Sequence, residues 1–274
     1  MRVHHLNTAT MCPPGARFIN GRGSPFRAGR LVCHVLLVEL RDGLALVDGG
    51  LGLGDIADPG RLGLRWVRQV RPRLDPSETA FEQVRARGFA PEDVRHIVLT
   101  HLDLDHAGCV PDFPWATVHV HANELAAARA QASGAARRRY IPAQLPGDAR
   151  VRSYTAGGER WRGFEGVRLL DDREPDVLLV PLHGHTPGHC GVAVRGEHTW
   201  WFHAGDSYFF HGQIEAEPWS PWVLRYFQRK VDTDRAAREH NQARVRELAL
   251  GHSDVAVFCA HDPVELDRAV ARPE

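Results

Sequence analysis

The sequence predicts an α/β protein in which two sheets pack together with helices outside them. Three observations carry this expectation. Short runs rich in apolar and β-branched residues recur from residues 31–39 to 255–259. Helix-length segments with start and stop signals lie between them. Hairpin-like and crossover-like connections are mixed, so strands of both orientations are expected.

The elements follow in order. Residues 31–39 are a β-rich run, Arg41-Asp42-Gly43 a turn, and 44–47 a second strand. Asp48-Gly49-Gly50 ends that strand in a Gly-rich loop reaching Gly54. A helix is predicted over 79–87, where Thr79 and Glu82 have capping-box spacing and Gly88 supplies the stop. Residues 96–100 read as a buried strand. Residues 117–120 form another, followed by a helix over 123–130. Residues 131–166 hold Gly, Pro and the run Arg137-Arg138-Arg139, and read as an irregular insertion. Strands are expected at 176–180, 191–194 and 200–203. A second, aromatic-rich insertion spans 207–230. A helix over 233–250, a strand over 255–259 and a helix over 263–270 complete the pattern.

Composition narrows the function classes. Thirty-four Lys and Arg balance 34 Asp and Glu. Binding to nucleic acid or a membrane surface through bulk positive charge is therefore not expected. No apolar run approaches the roughly 20 residues of a membrane span, and the first eleven residues contain no apolar signal core. Five scattered cysteines, none in a Cys-x-x-Cys pair, fit a reducing compartment. Cytoplasmic location and one domain over residues 1–274 are the resulting expectations. The unusual figure is 17 histidines.

Nine of these, His4, His5, His34, His96, His119, His121, His198, His240 and His252, lie outside any cluster and read as surface or hydrogen-bonded residues. The others matter by position. His101-Leu102-Asp103-Leu104-Asp105-His106 puts four imidazole or carboxylate groups into six residues directly after a strand. The two leucines alternate with them, so one side of the loop anchors in the core and the other faces a cleft. Neutral imidazole and carboxylate oxygen are the usual donors for a borderline divalent cation. Three further segments carry such groups at strand ends: Gly184-His185-Thr186-Pro187-Gly188-His189, Ala204-Gly205-Asp206 and Ala260-His261-Asp262.

On these motifs the chain resembles the metallo-β-lactamase-fold superfamily of binuclear metallohydrolases, from about Leu31 to His261. The resemblance implies a four-layer αββα sandwich with two divalent metal ions at one edge, zinc first, manganese or iron as alternatives. It implies His101 and His189 on metal 1, with Asp103 as a ligand there or as an acceptor orienting those histidines. Asp105, His106 and His261 would hold metal 2, and Asp206 would bridge. Asp48, in Leu-Val-Asp-Gly-Gly, looks like the family's early aspartate behind the metal loop. The usual motif has His where this chain has Asp103. Some redox members of the superfamily use a carboxylate there with iron, but those carry a flavin domain, for which 274 residues leave no room.

The chemistry implied is attack by a metal-bridged hydroxide on a carbonyl or phosphoryl centre, with Asp105, or Asp103 as the alternative, passing a proton to the leaving group. Residues 200–227 hold ten of the 22 aromatics. An apolar wall after Asp206 suits a small hydrophobic substrate, and Tyr208 is expected to donate a hydrogen bond to a developing oxyanion. The Arg137–Arg139 run reads as a solvated face, with anion binding as the alternative. Only 68 residues follow Asp206, too few for the added helical domain of the family's glutathione-thioester hydrolases. No nucleic-acid module is present, and no export signal of a true β-lactamase. Hydrolysis of a small ester or lactone is therefore expected. The alternatives are a phosphodiester or phosphotriester hydrolase, or a metal-binding redox or non-catalytic member.

Overall fold

The computed structural model describes residues 2–155, 158–170 and 176–272. Its first sheet holds β1 (Val3–Met11), β2 (Leu31–Leu40), β3 (Gly43–Val47), β4 (Val94–Val98), β5 (Thr117–His121) and β6 (Val151–Tyr154), in that spatial order. The second sheet runs from β7 (Glu159–Trp161) through β8 (Phe164–Arg168), β9 (Val177–Pro181), β10 (Cys190–Arg195) and β11 (Trp200–His203) to β12 (Val255–Phe258). The first three strands are antiparallel and β3 to β6 parallel. The second sheet is antiparallel except for the β11–β12 pair.

Side-chain alternation sets the layers. In β2, Leu36 and Val38 face the second sheet with Val47 and Val98, meeting Leu179, Val192 and Trp201. Val35 and Leu37 point the other way, onto a core shared with α4 (Ala80–Ala86) and α5 (Ala122–Ala130). The far face of the second sheet packs Leu178, Val180 and Phe202 against Val245 and Leu248 of α8 (Arg235–Gly251). The order is helix, sheet, sheet, helix, the αββα arrangement. Because β2 is covered on both faces, its buried run is continuous rather than alternating.

The remaining helices are α1 (Ala16–Asn20), α2 (Leu53–Ala57), α3 (Leu64–Val70), α6 (Gly134–Arg139), α7 (Trp222–Val231) and α9 (Pro263–Ala271). Thr79 caps α4 as its spacing predicts, its hydroxyl accepting from the Glu82 backbone. Two expectations change. Residues 131–166 are not irregular: α6, β6, β7 and most of β8 lie there, extending both sheets. The aromatic segment 207–230 contains most of α7. The five cysteines are all free thiols. Among the described residues no helix is long and apolar enough to cross a membrane.

Candidate metal centre

Five loops converge at one edge of the sandwich. Asp48 follows β3, the His101–His106 loop follows β4, Gly184–His189 joins β9 to β10, Asp206 follows β11, and His261 follows β12.

Two sets of donor atoms meet there. In the first, His101 Nε2 lies 3.5 Å from Asp103 Oδ2 and 3.8 Å from Asp206 Oδ2. His185 Nε2 lies 3.1 Å from Asp103 Oδ2 and 3.3 Å from Asp206 Oδ2. In the second, Asp206 Oδ1 lies 3.4 Å from His106 Nε2 and 3.2 Å from His261 Nε2. The two imidazole nitrogens are 3.4 Å apart, and Asp105 Oδ2 is 3.8 Å from His261 Nε2. Donors on a tetrahedron with bonds of about 2.1 Å are separated by about 3.4 Å. Three donors of each set, His101, His185 and Asp206 in the first and His106, His261 and Asp206 in the second, lie within 4.8 Å of one another and can hold a cation, with Asp103 and Asp105 beside them and one oxygen of Asp206 facing each set. His101 Nε2 and Asp206 Oδ1 are buried with no hydrogen-bond partner. Buried polar atoms are rarely left so, and a cation would satisfy both.

On three of the four rings the other nitrogen is held, whereas His185 Nδ1 has no hydrogen-bond partner. His106 Nδ1 meets Asp48 Oδ2 at 2.8 Å, His261 Nδ1 meets the Val32 carbonyl at 2.8 Å, and His101 Nδ1 lies 2.9 Å from the Thr100 hydroxyl. His185 Nδ1 is 3.7 Å from Asp232. Such partners fix the tautomer and aim the free nitrogen. Asp48 also accepts from the Thr100 backbone and hydroxyl. Burial alone would raise the Asp48 pKa, but the facing His106 brings it down to about 2. Burial also opposes charge on His106 and His261, yet Asp206 beside them holds both well above the ordinary histidine range.

Two sequence expectations are corrected. His189 does not face the donor sets. Its Nδ1 meets the Leu182 carbonyl at 2.9 Å, and its Nε2 accepts the Asp206 N–H at 2.8 Å. It is a bracket for the Asp206 backbone, and His185, four residues earlier in the same motif, supplies the inward imidazole. Gly205 permits that bracket: it has φ +54°, and a Cβ there would sit 2.5 Å from His189 Nε2. Tyr208 is the second correction. It is fully buried, and its hydroxyl donates to Glu265 Oε1 at 2.9 Å. The ring facing the centre is that of the next residue, Phe209, whose centroid is 5.9 Å from His185 and 5.5 Å from His261.

The structure adds residues that the sequence did not single out. Glu124, at the start of α5, is fully buried and accepts from the backbones of both Leu102 and Gly188, joining the two ligand loops. The arginine run divides. Arg137 and Arg138 are exposed. Arg139 turns inward, and its Nη1 lies 3.0 and 2.8 Å from the two Asp103 oxygens. Burial would raise the Asp103 pKa, but Arg139 holds it well below the usual carboxylate range.

Comparison with known proteins decides the family. The profile of the metallo-beta-lactamase superfamily matches residues 28–261. The chain belongs to that superfamily. It is a metallo-hydrolase of that fold. A protein of Mycobacterium tuberculosis named a probable metallo-hydrolase is 41% identical over 264 residues, covering 96% of this chain and 81% of that relative. An N-acyl homoserine lactonase of Rhizobium radiobacter is 29% identical over 170 residues, covering 58% of each chain. Among solved structures, an N-acyl homoserine lactone hydrolase with bound product superposes with TM-score 0.72 at 18% identity, covering 98% of this chain and 96% of the other. A dizinc quorum-quenching lactonase superposes with TM-score 0.62 at 16% identity, covering 95% and 87%. At those identities the structural likeness shows the fold.

Proposed function

We propose that this superfamily member is a dinuclear zinc hydrolase of a small lactone or ester with an apolar substituent. The observation that carries the reading is the pair of donor sets sharing Asp206. His101, Asp103, His185 and Asp206 Oδ2 would hold one ion. Asp105, His106, His261 and Asp206 Oδ1 would hold the other. Each set offers two nitrogens and two oxygens, which suits zinc. Ions bound there supply Lewis acidity and lower the pKa of a coordinated water.

The chain's own groups do the rest. Asp206 spaces the two sets with one carboxylate. Asp48, Thr100 and the Val32 carbonyl keep the free imidazole nitrogens aimed. Asp105 is the partly open carboxylate of the second set, its side chain 16% exposed. From there it can carry a proton to the leaving alkoxide as the acyl C–O bond breaks. Phe209 closes one side with an apolar ring, itself tilted against Phe227 at 6.3 Å between centroids. An apolar wall beside a few convergent polar groups favours a small hydrophobic substrate. The lactonase names among the relatives and neighbours support the same class.

The test is elemental analysis followed by a panel of lactones, aryl esters, thioesters and phosphotriesters. Two zinc ions per chain and chelator-sensitive lactone turnover are expected. Turnover confined to phosphotriesters would replace the substrate class, and metal-independent turnover would overturn the reading.

A further inference from the structure

Each donor set pairs two imidazoles with one oxygen of Asp206, and an aspartate of the loop after β4 lies beside it, Asp103 at the first and Asp105, next to the Cys33 thiol, at the second. Their surroundings differ. On the first side Arg139 Nη1 lies 2.8 Å from Asp103 Oδ2, the oxygen that faces the set, and 3.2 Å from His185 Nε2. Its Nη2 donates to the Val231 carbonyl at the end of α7, so the guanidinium is fixed from two directions. Behind His185, Asp232 is paired with Arg238 at 3.0 Å and brings no net charge. On the second side the carboxylates have histidine partners. Asp48 lies against His106 and His203, and Asp105 against His261. One position is therefore backed by an aspartate whose partners are imidazoles, and the other by a permanent cation on its ligand.

We infer that Arg139 is a positioning residue that makes the two metal positions unequal, weakening the cation held by His101, Asp103, His185 and Asp206 relative to the other. The inference rests on the two-ion reading above. A guanidinium on the ligating oxygen draws electron density from the donor and repels the cation beyond it. It also compensates the charge of Asp103, so that carboxylate and guanidinium together present to the metal about the charge of a neutral imidazole. The position opposite Arg139 is the exchangeable one, filled last and emptied first.

The experiment is competition for zinc between the loaded protein and a chromophoric chelator, which yields both dissociation constants without reference to activity. The wild type is expected to show constants at least about tenfold apart. Arg139→Lys keeps the charge and should keep that separation. Arg139→Gln keeps a hydrogen bond to Asp103 without the charge and should tighten the weaker site by on the order of tenfold, because the positive charge beside the ligand is removed. A separation unchanged in Arg139→Gln, or a weaker site that loosens further, would overturn the inference. A second arm does not depend on the folding of that variant. One equivalent of cadmium-113 is added to metal-free wild type and to His185→Asn, and each spectrum is recorded. The resonance that fills first should survive in His185→Asn, and its disappearance would equally overturn the inference. Saturation at a single ion in the wild type is a distinct result, which would overturn the two-ion reading instead.

Discussion

Replacing Asp103 by the histidine usual in the superfamily should destabilise this chain. Asp103 and Arg139 form a largely buried ion pair, with side chains only 14% and 13% exposed. A histidine at 103 removes the negative partner and leaves the guanidinium facing His101, His185 and a third imidazole. Breaking a buried pair from one side costs about 3–5 kcal/mol, because the remaining charge stays desolvated. A domain of this size loses roughly 2–4 °C of melting temperature per kcal/mol. Asp103→His should therefore melt roughly 10 °C below the wild type. Calorimetry on metal-free protein isolates this term from coordination. The double variant Asp103→His, Arg139→Leu should recover at least about half of the loss, since it removes the stranded charge, and the cycle gives the coupling directly. A single variant that melts within about 2 °C of the wild type, or a double variant no better than the single, would refute the argument.

Other predictions follow from the corrected geometry. His185→Ala should lose about one metal equivalent per chain by elemental analysis, while His189→Ala should first lower metal-free stability by about 1–3 kcal/mol, the cost of unpaired buried backbone groups. The reverse pattern would restore His189 as the donor. Tyr208→Phe should leave kcat within about threefold and cost about 1 kcal/mol of stability, so a large kcat loss at full metal content would return Tyr208 to the reaction. Burial, with Asp262 adding to it, pushes the Glu265 carboxyl up to about 8 from its ordinary 4.5. A folded-state pKa above the unfolded one means stability fully present below about 4.5 and lost as pH rises to about 8. Between about pH 4.5 and 8 the denaturant-measured stability of metal-free wild type should fall by a few kcal/mol relative to that of Glu265→Gln; a difference that does not change with pH would exclude Glu265 as the titrating group.

Much of this was legible in the residues. The strand at 200–203 was placed to the residue, and the helix expected over 79–87 lies at Ala80–Ala86 behind its Thr79 cap, because their signals are local. The His101–His106 loop was legible for the same reason: four ligating groups packed into six positions after a strand put their donors within reach of one cation pair. β1 escaped notice because its register shifts between Asn7 and Thr10, which breaks the period-two alternation. The strands within 131–166 are short, and Gly and Pro around them read as loop. The choice between His185 and His189 was not in the sequence at all. Both sit in one turn with no periodicity, and only the backbone of Asp206, brought in from another strand, decides which ring is consumed as a bracket. Arg139 was hidden by its neighbours, since Arg137 and Arg138 made the run look like a solvated face. Its inward turn follows from its place at the end of α6, beside Asp103.

The donor sets have a mechanical side as well. Each draws two side chains from the loop after β4, in the first sheet, and two from loops of the second sheet. His101 and Asp103 meet His185 and Asp206 in one set. Asp105 and His106 meet Asp206 and His261 in the other. A cation in either set is thus a rivet through the seam of the sandwich, tying the first half of the chain to the second. The ring it closes between Asp103 and His185 spans some 80 residues of chain. A covalent cross-link closing a loop of that size removes about 4–5 kcal/mol of unfolded-state entropy. Unlike a disulfide, this fastening needs no oxidant, and the cell can undo it by withdrawing an ion. On the proposed function, the edge that carries the chemistry is also the edge at which the two halves of the molecule are clasped, and metal supply would set turnover and cohesion together.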